Sequence, residues 1–169
     1  MSVTKNISST LVFLSLSLLF NLLFFVNFKN ACAQQVQITD MDDFSFGGYS
    51  GSGDLTQTDG DICIYQSGGT GTNYQVTASG TGPGGSFQIQ SGMDSISYEV
   101  SWKPSQGTGG SFTSVTANSG HSFNGADNAS TNCGGSANAA LRVHFPNASL
   151  STAAPGNYSG TLTIRIDPL

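Results

Sequence analysis

The chain reads as all-β, and three features say so. Past residue 33, apolar residues recur with a period of two in short runs and nowhere with a period of 3.6. About every ten residues the runs are broken by turns rich in Gly, Asn and Ser. Glycine is abundant at 22 residues, charged residues make up only 9 % of the chain, and strong helix formers are scarce. Short strands at that spacing predict a single immunoglobulin-like β-sandwich.

From the N-terminus, the first element is a leader. Leu11–Phe28 is an almost unbroken apolar run behind Lys5, followed by Ala31-Cys32-Ala33, which has the small-x-small form of a signal peptidase site. Residues 1–33 are therefore expected to be a secretory signal peptide and residues 34–169 the exported domain. An uncleaved anchor is the alternative, because about 20 apolar residues span a bilayer. Lys29 and Asn30 do not suit a lipobox at Cys32. Losing the leader removes Lys5 and Lys29, so ten carboxylates face only Lys103, Arg142 and Arg165. Such a surface repels phosphate backbones and anionic lipid, which argues against nucleic acid and against a membrane surface beyond export.

The strands follow in order. In Gln35–Asp40, Val36 and Ile38 set an inward phase, which Asp40 and Asp42 interrupt before Phe44 and Phe46 resume it in Phe44–Gly47. Ile62–Gln66, Tyr74–Gly80, Ser86–Gln90, Ile96–Trp102, Ser111–Thr116 and Ala140–Phe145 are each short, β-branched or aromatic, and bounded by turn residues. Tyr158–Asp167 has the cleanest alternation: Tyr158, Gly160, Leu162, Ile164 and Ile166 share one face, Ser159, Thr161, Thr163, Arg165 and Asp167 the other. Pro168 ends the ladder, having no N–H to donate.

Once the leader is gone, Cys63 and Cys133 are the pair that remains. In an oxidising compartment an even pair defaults to a disulfide, with two buried thiols as the alternative. Neither cysteine has a partner at zinc-ligand spacing, and His121 and His144 do not supply one. Asp54, Asp59 and Asp61 lie among glycines, but their spacing misses both the EF-hand and the nonapeptide calcium patterns. Gly80-Thr81-Gly82-Pro83-Gly84-Gly85 spells G-x-G-x-x-G, yet a strand follows it where a phosphate-binding helix would be needed, so it reads as a hairpin loop. No serine sits in G-x-S-x-G, and His144 shares the outer face of its strand with Arg142. The sequence therefore offers no catalytic residue, no metal ligand set and no cofactor site, and an enzyme is the weakest of the function classes.

The succession FSFGGYSGSGD, ICIYQ, NYQVTASGTGPGGSFQIQSG, ISYEVSW and the closing GNYSGTLTIRIDP resembles the spore coat protein U domain, the pilin domain of archaic chaperone–usher fimbriae. The resemblance covers most of residues 44–167. It implies an incomplete, pilin-like sandwich whose groove beside the last strand is filled by β-augmentation, first from a periplasmic chaperone and then, through an outer-membrane usher, from other fimbrial subunits. Carried onto this chain, the acceptor groove is expected along Leu162, Ile164 and Ile166. The chain departs from the family pattern in two ways. Asp40 and Asp42 interrupt the leading segment that would serve as a donor, and the early cysteine of the family's usual disulfide is absent. An end subunit that accepts a strand and gives none fits these departures. The competing expectation is that residues 35–47 complete the sheet in cis, giving a self-contained secreted sandwich that binds glycan or another surface ligand through Trp102, Tyr49, Tyr65 or Tyr74.

Overall fold

The structure is a computed structural model that describes residues 34–68 and 71–169. The leader expected at residues 1–33 lies outside the described residues. Among the described residues there are ten strands: β1 (Gln35–Thr39), β2 (Leu55–Ser67), β3 (Tyr74–Ser79), β4 (Gln88–Ser91), β5 (Asp94–Ser97), β6 (Glu99–Lys103), β7 (Thr113–Val115), β8 (Gly120–Phe123), β9 (Ala139–Phe145) and β10 (Thr163–Pro168), with a short α-helix, α1 (Asn147–Leu150), after β9. They form a five-stranded sheet in the order β1-β2-β9-β6-β7, a three-stranded sheet in the order β10-β3-β8, and a β4-β5 hairpin. Every strand pair is antiparallel. The fold is all-β, as the alternation predicts.

The core is made by the inward phase of each strand. Ile62 and Ile64 of β2, Tyr74, Val76 and Ala78 of β3, Val100 and Trp102 of β6, and Leu141 and Val143 of β9 are buried between the sheets. Trp102 donates its indole N–H to the Tyr74 hydroxyl at 3.1 Å, so the two large polar-tipped rings satisfy each other where water is absent. Burial pushes the Tyr74 phenol up to about 12, against a smaller opposing pull from the Trp102 hydrogen bond.

β2 is long because it changes partners along its length. Leu55–Asp59 pair with β9, the register slips between Asp59 and Ile62, and Cys63 to Ser67 pair with β1. Gly60 permits the slip: a Cβ there would come within 3.0 Å of the Gly107 backbone, whose N–H donates to Gly60 O at 2.9 Å. The disulfide joins Cys63, just past the slip, to Cys133 in the loop before β9.

Several boundaries differ from the sequence reading. Ile96–Trp102 is two strands, because Tyr98 turns its N–H to Phe87 O at 3.0 Å and hands the chain from the hairpin to the larger sheet. Gly80–Gly85 is not a hairpin loop: β3 and β4 belong to different sheets, and these glycines make a tight crossover between them. Gly80 could not be replaced, since a Cβ would lie 2.4 Å from Ser86 O. Phe44–Gly47 is not a strand, and the final strand begins at Thr163, with Ser159 making only an isolated bridge to Gln90.

Candidate functional site

Two edge strands face each other at one side of the sandwich. Among the described residues β1 pairs only with β2, and β10 pairs only with β3. Gln35 stands opposite Ser67 at the end of β2, and Pro168 stands opposite Tyr74 at the start of β3. The connection from β2 to β3 is short, so the beginning of β1 and the end of β10 lie at the same end of the molecule. The two edges run close together, and no backbone hydrogen bond joins them among the described residues.

The seam between them is apolar on its inner side. Val36 and Ile38 of β1, with Leu162, Ile164 and Ile166 at and in β10, pack against the core and remain only half-buried. Opposite them in phase, Thr163 and Arg165 are exposed, and the Arg165 guanidinium sits 2.9 Å from Asp167 Oδ2 on the outer face. The three residues expected to line a groove are thus brought to one edge. Gln66 follows Ile62 and Ile64 on the inward phase of β2 and stands opposite Val36; it is 1 % exposed.

The segment after β1 does not turn toward β10. Asp40, at φ 62°, ends β1 in the left-handed region, a conformation that a short polar side chain tolerates. The chain then runs along the first half of β2, held by side chains and not by a ladder. Asp42 N–H donates to Asp59 Oδ2 at 2.9 Å, Ser45 N–H donates to Gln57 Oε1 at 3.0 Å, and the Gln57 amide returns a bond to Ser45 O. Phe46 packs edge-on to Phe145 with ring centroids 4.9 Å apart. Residues 35–46 therefore cover the edge of β2 and leave that of β10.

The other candidates resolve simply. Trp102 and Tyr74 are fully buried and are not stacking surfaces, whereas Tyr49 and Tyr65 are half-buried. Tyr49 OH donates to Asn147 Oδ1, and Asn147 N–H donates to Asp54 Oδ1 at 2.7 Å, so Asp54 caps the start of α1. Asp59 is occupied by the N–H groups of Asp42 and Asp61. His144 Nδ1 lies 2.7 Å from Thr56 Oγ1 on the outer face. No three His, Cys, Asp or Glu side chains among the described residues are placed to hold a metal. An open cavity of about 400 Å³, lined by Asn73, Pro104, Ser122, Phe123, Asn124 and Leu169, presents no titratable side chain.

Sequence reasoning missed Gln66. Its inward phase was readable from ICIYQ, but an unpaired amide in a core row carries no sequence signal of its own.

No family model matches the chain, and no curated protein does. Among solved structures, a similar chain is found in a work described as "Chaperone-tip adhesin complex is vital for synergistic activation of CFA/I fimbriae biogenesis". The TM-score is 0.54 at 14 % identity, over 79 % of this chain and 41 % of that one. This chain thus spans well under half of the length of that neighbour, and the likeness is one of fold.

Proposed function

We propose that this protein is a non-enzymatic structural or adhesive subunit of a surface fimbria of the chaperone–usher type, and that the seam between β1 and β10 accepts a strand from another polypeptide. One observation carries the reading: β10 presents an outer edge that no strand among the described residues pairs with, and the inward side chains there, Leu162 just before the strand and Ile164 and Ile166 in it, are apolar and only half covered. Such an edge is an aggregation hazard unless it is occupied. A strand laid beside it would take up the free N–H and C=O groups and cover the apolar row, with burial of each Leu or Ile side chain worth about 1.5–3 kcal/mol from full exposure and roughly half that from the half-buried state. The chaperone and tip adhesin named for the structural neighbour support the same setting.

On this reading the protein is exported by its leader, met in the periplasm by a chaperone that lends the strand, and passed through an outer-membrane usher to a neighbouring fimbrial subunit. It accepts a strand, and residues 35–46, committed to β2, do not serve as a donor.

The test is export of the full chain with and without an alternating apolar strand tethered after Leu169. Alone, the protein is expected to aggregate or be degraded; with the strand it accumulates as a soluble monomer. Ile164→Asp in the tethered protein should abolish the rescue, because it sets a charge against the apolar row. A chain that is soluble, monomeric and cooperatively folded without any partner would contradict the reading.

A further inference from the structure

We infer that Gln66 makes the seam selective for a strand carrying one uncharged hydrogen-bonding side chain, a carboxamide, among its otherwise apolar inward residues. The inference rests on the strand-accepting reading above.

Gln66 is an anomaly in its row. Ile62 and Ile64, four and two residues before it on the same face of β2, are fully buried, and so is Gln66. Both its Nε2 and its Oε1 are buried without a hydrogen-bond partner among the described residues. Native interiors rarely leave one such atom unpaired, let alone a donor and an acceptor on the same side chain. The buried hydroxyl at the corresponding end of the facing sheet, that of Tyr74, is engaged by Trp102.

The position of Gln66 says from which side a partner can come. Its neighbour across the ladder is Val36 of β1, and β1 is the strand that borders the seam. The inward row at that level therefore runs Gln66, Val36, seam. A strand entering the seam adds the next member of this row, and a long amide can reach past the short Val36 toward it, since next-but-one positions in a sheet are about 10 Å apart. A carboxamide offers an acceptor to Nε2 and a donor to Oε1 and satisfies both atoms at once. A hydroxyl can donate or accept, but its single oxygen cannot align with both atoms of the planar amide at once; an aliphatic group satisfies neither, and a charged group would be stranded in an apolar layer.

The experiment uses a panel of nine-residue peptides with Val at every inward position and Thr at every outward one, with Asn substituted at each inward position in turn. The exported full-length protein is refolded from denaturant in the presence of each peptide, and affinity is read by fluorescence anisotropy. At one inward position alone, Asn is expected to bind about tenfold or more tightly than Val, the scale of a buried hydrogen bond gained in place of one left unmade. In Gln66→Leu and in the near-isosteric Gln66→Met, the preference at that position should invert to Val while every other position keeps its own. Val preferred at all positions, or a preference for Asn that survives both substitutions, would overturn the inference and leave the seam reading standing, with a trapped water serving the amide. Binding of no peptide to any form would overturn the seam reading and this inference together.

Discussion

Cys63 and Cys133 form the cross-link that the pairing argument expects, and it ties β2, at the point where it changes partners, to the loop that feeds β9. At a sequence separation of 70, the bond removes about 4 kcal/mol of loop entropy from the unfolded chain on the chain-entropy account. Urea unfolding of the exported protein with the disulfide intact and reduced should differ by about that amount, and thiol labelling of the unreduced, denatured form should find no free cysteine. Tyr74 makes a second residue-level prediction. Its folded pKa, about 12, stands above the ordinary phenol value of 10.0, so the folded state holds the proton more tightly. The associated stability is fully present below pH 10 and is lost as pH rises toward 12, by about 1.4 kcal/mol per pH unit in that window. In Tyr74→Phe that slope should be reduced to the part contributed by Tyr98, which burial also raises, with a loss of about 1 kcal/mol at neutral pH for the missing bond to Trp102. Measuring stability against pH between 9 and 12 checks both statements.

Among the elements, those with a clean period of two were readable and those organised by polar side chains were not. β1, β3, β9 and the core of β2 lie where alternation of Val, Ile, Tyr and Leu places them. The first half of β2, Leu55–Asp61, has a single aliphatic residue, because its outward positions are polar and its edge is tended by Gln57 and Asp59 in place of a backbone ladder. Gly120–Phe123 was missed for a related reason: a glycine, a histidine and a serine before Phe123 give no apolar phase, and the strand is specified by pairing with β3. The Lys103–Phe112 loop shows the same principle. The buried Lys103 ammonium donates to the carbonyls of Gln106, Gly107 and Gly109 at 2.8, 2.7 and 2.6 Å, while Arg142 stacks 3.8 Å above the Phe112 ring. Lys103→Met should leave three carbonyls without their donor, cost about 1–3 kcal/mol, and raise amide exchange across residues 106–112 with little change elsewhere. Asp59→Ala together with Gln57→Ala should loosen residues 42–45 from β2, which limited proteolysis would reveal as a new cut in that segment.

At the scale of the whole molecule, the legible part was the terminal alternation and the illegible part was where the N-terminal segment goes. Val36 and Ile38 gave its phase, but a phase does not choose between the edge of β2 and the edge of β10. The choice is made by Asp40 in the left-handed region and by the Asp59 and Gln57 tethers, the last two being polar groups whose partners, Asp42 and Ser45, lie far along the chain. The result is a sandwich with two facing edges and an apolar seam between them, and the account stands or falls on whether the edge of β10 is open. Amide hydrogen exchange across Leu162–Asp167 of the exported protein, alone and with an alternating apolar peptide, tests this most directly. Alternate amides of β10, those not turned toward β3, are predicted to exchange rapidly in the protein alone and to become protected about a hundredfold or more when the peptide binds. Protection of every β10 amide in the protein alone, with no change on adding peptide, would contradict it.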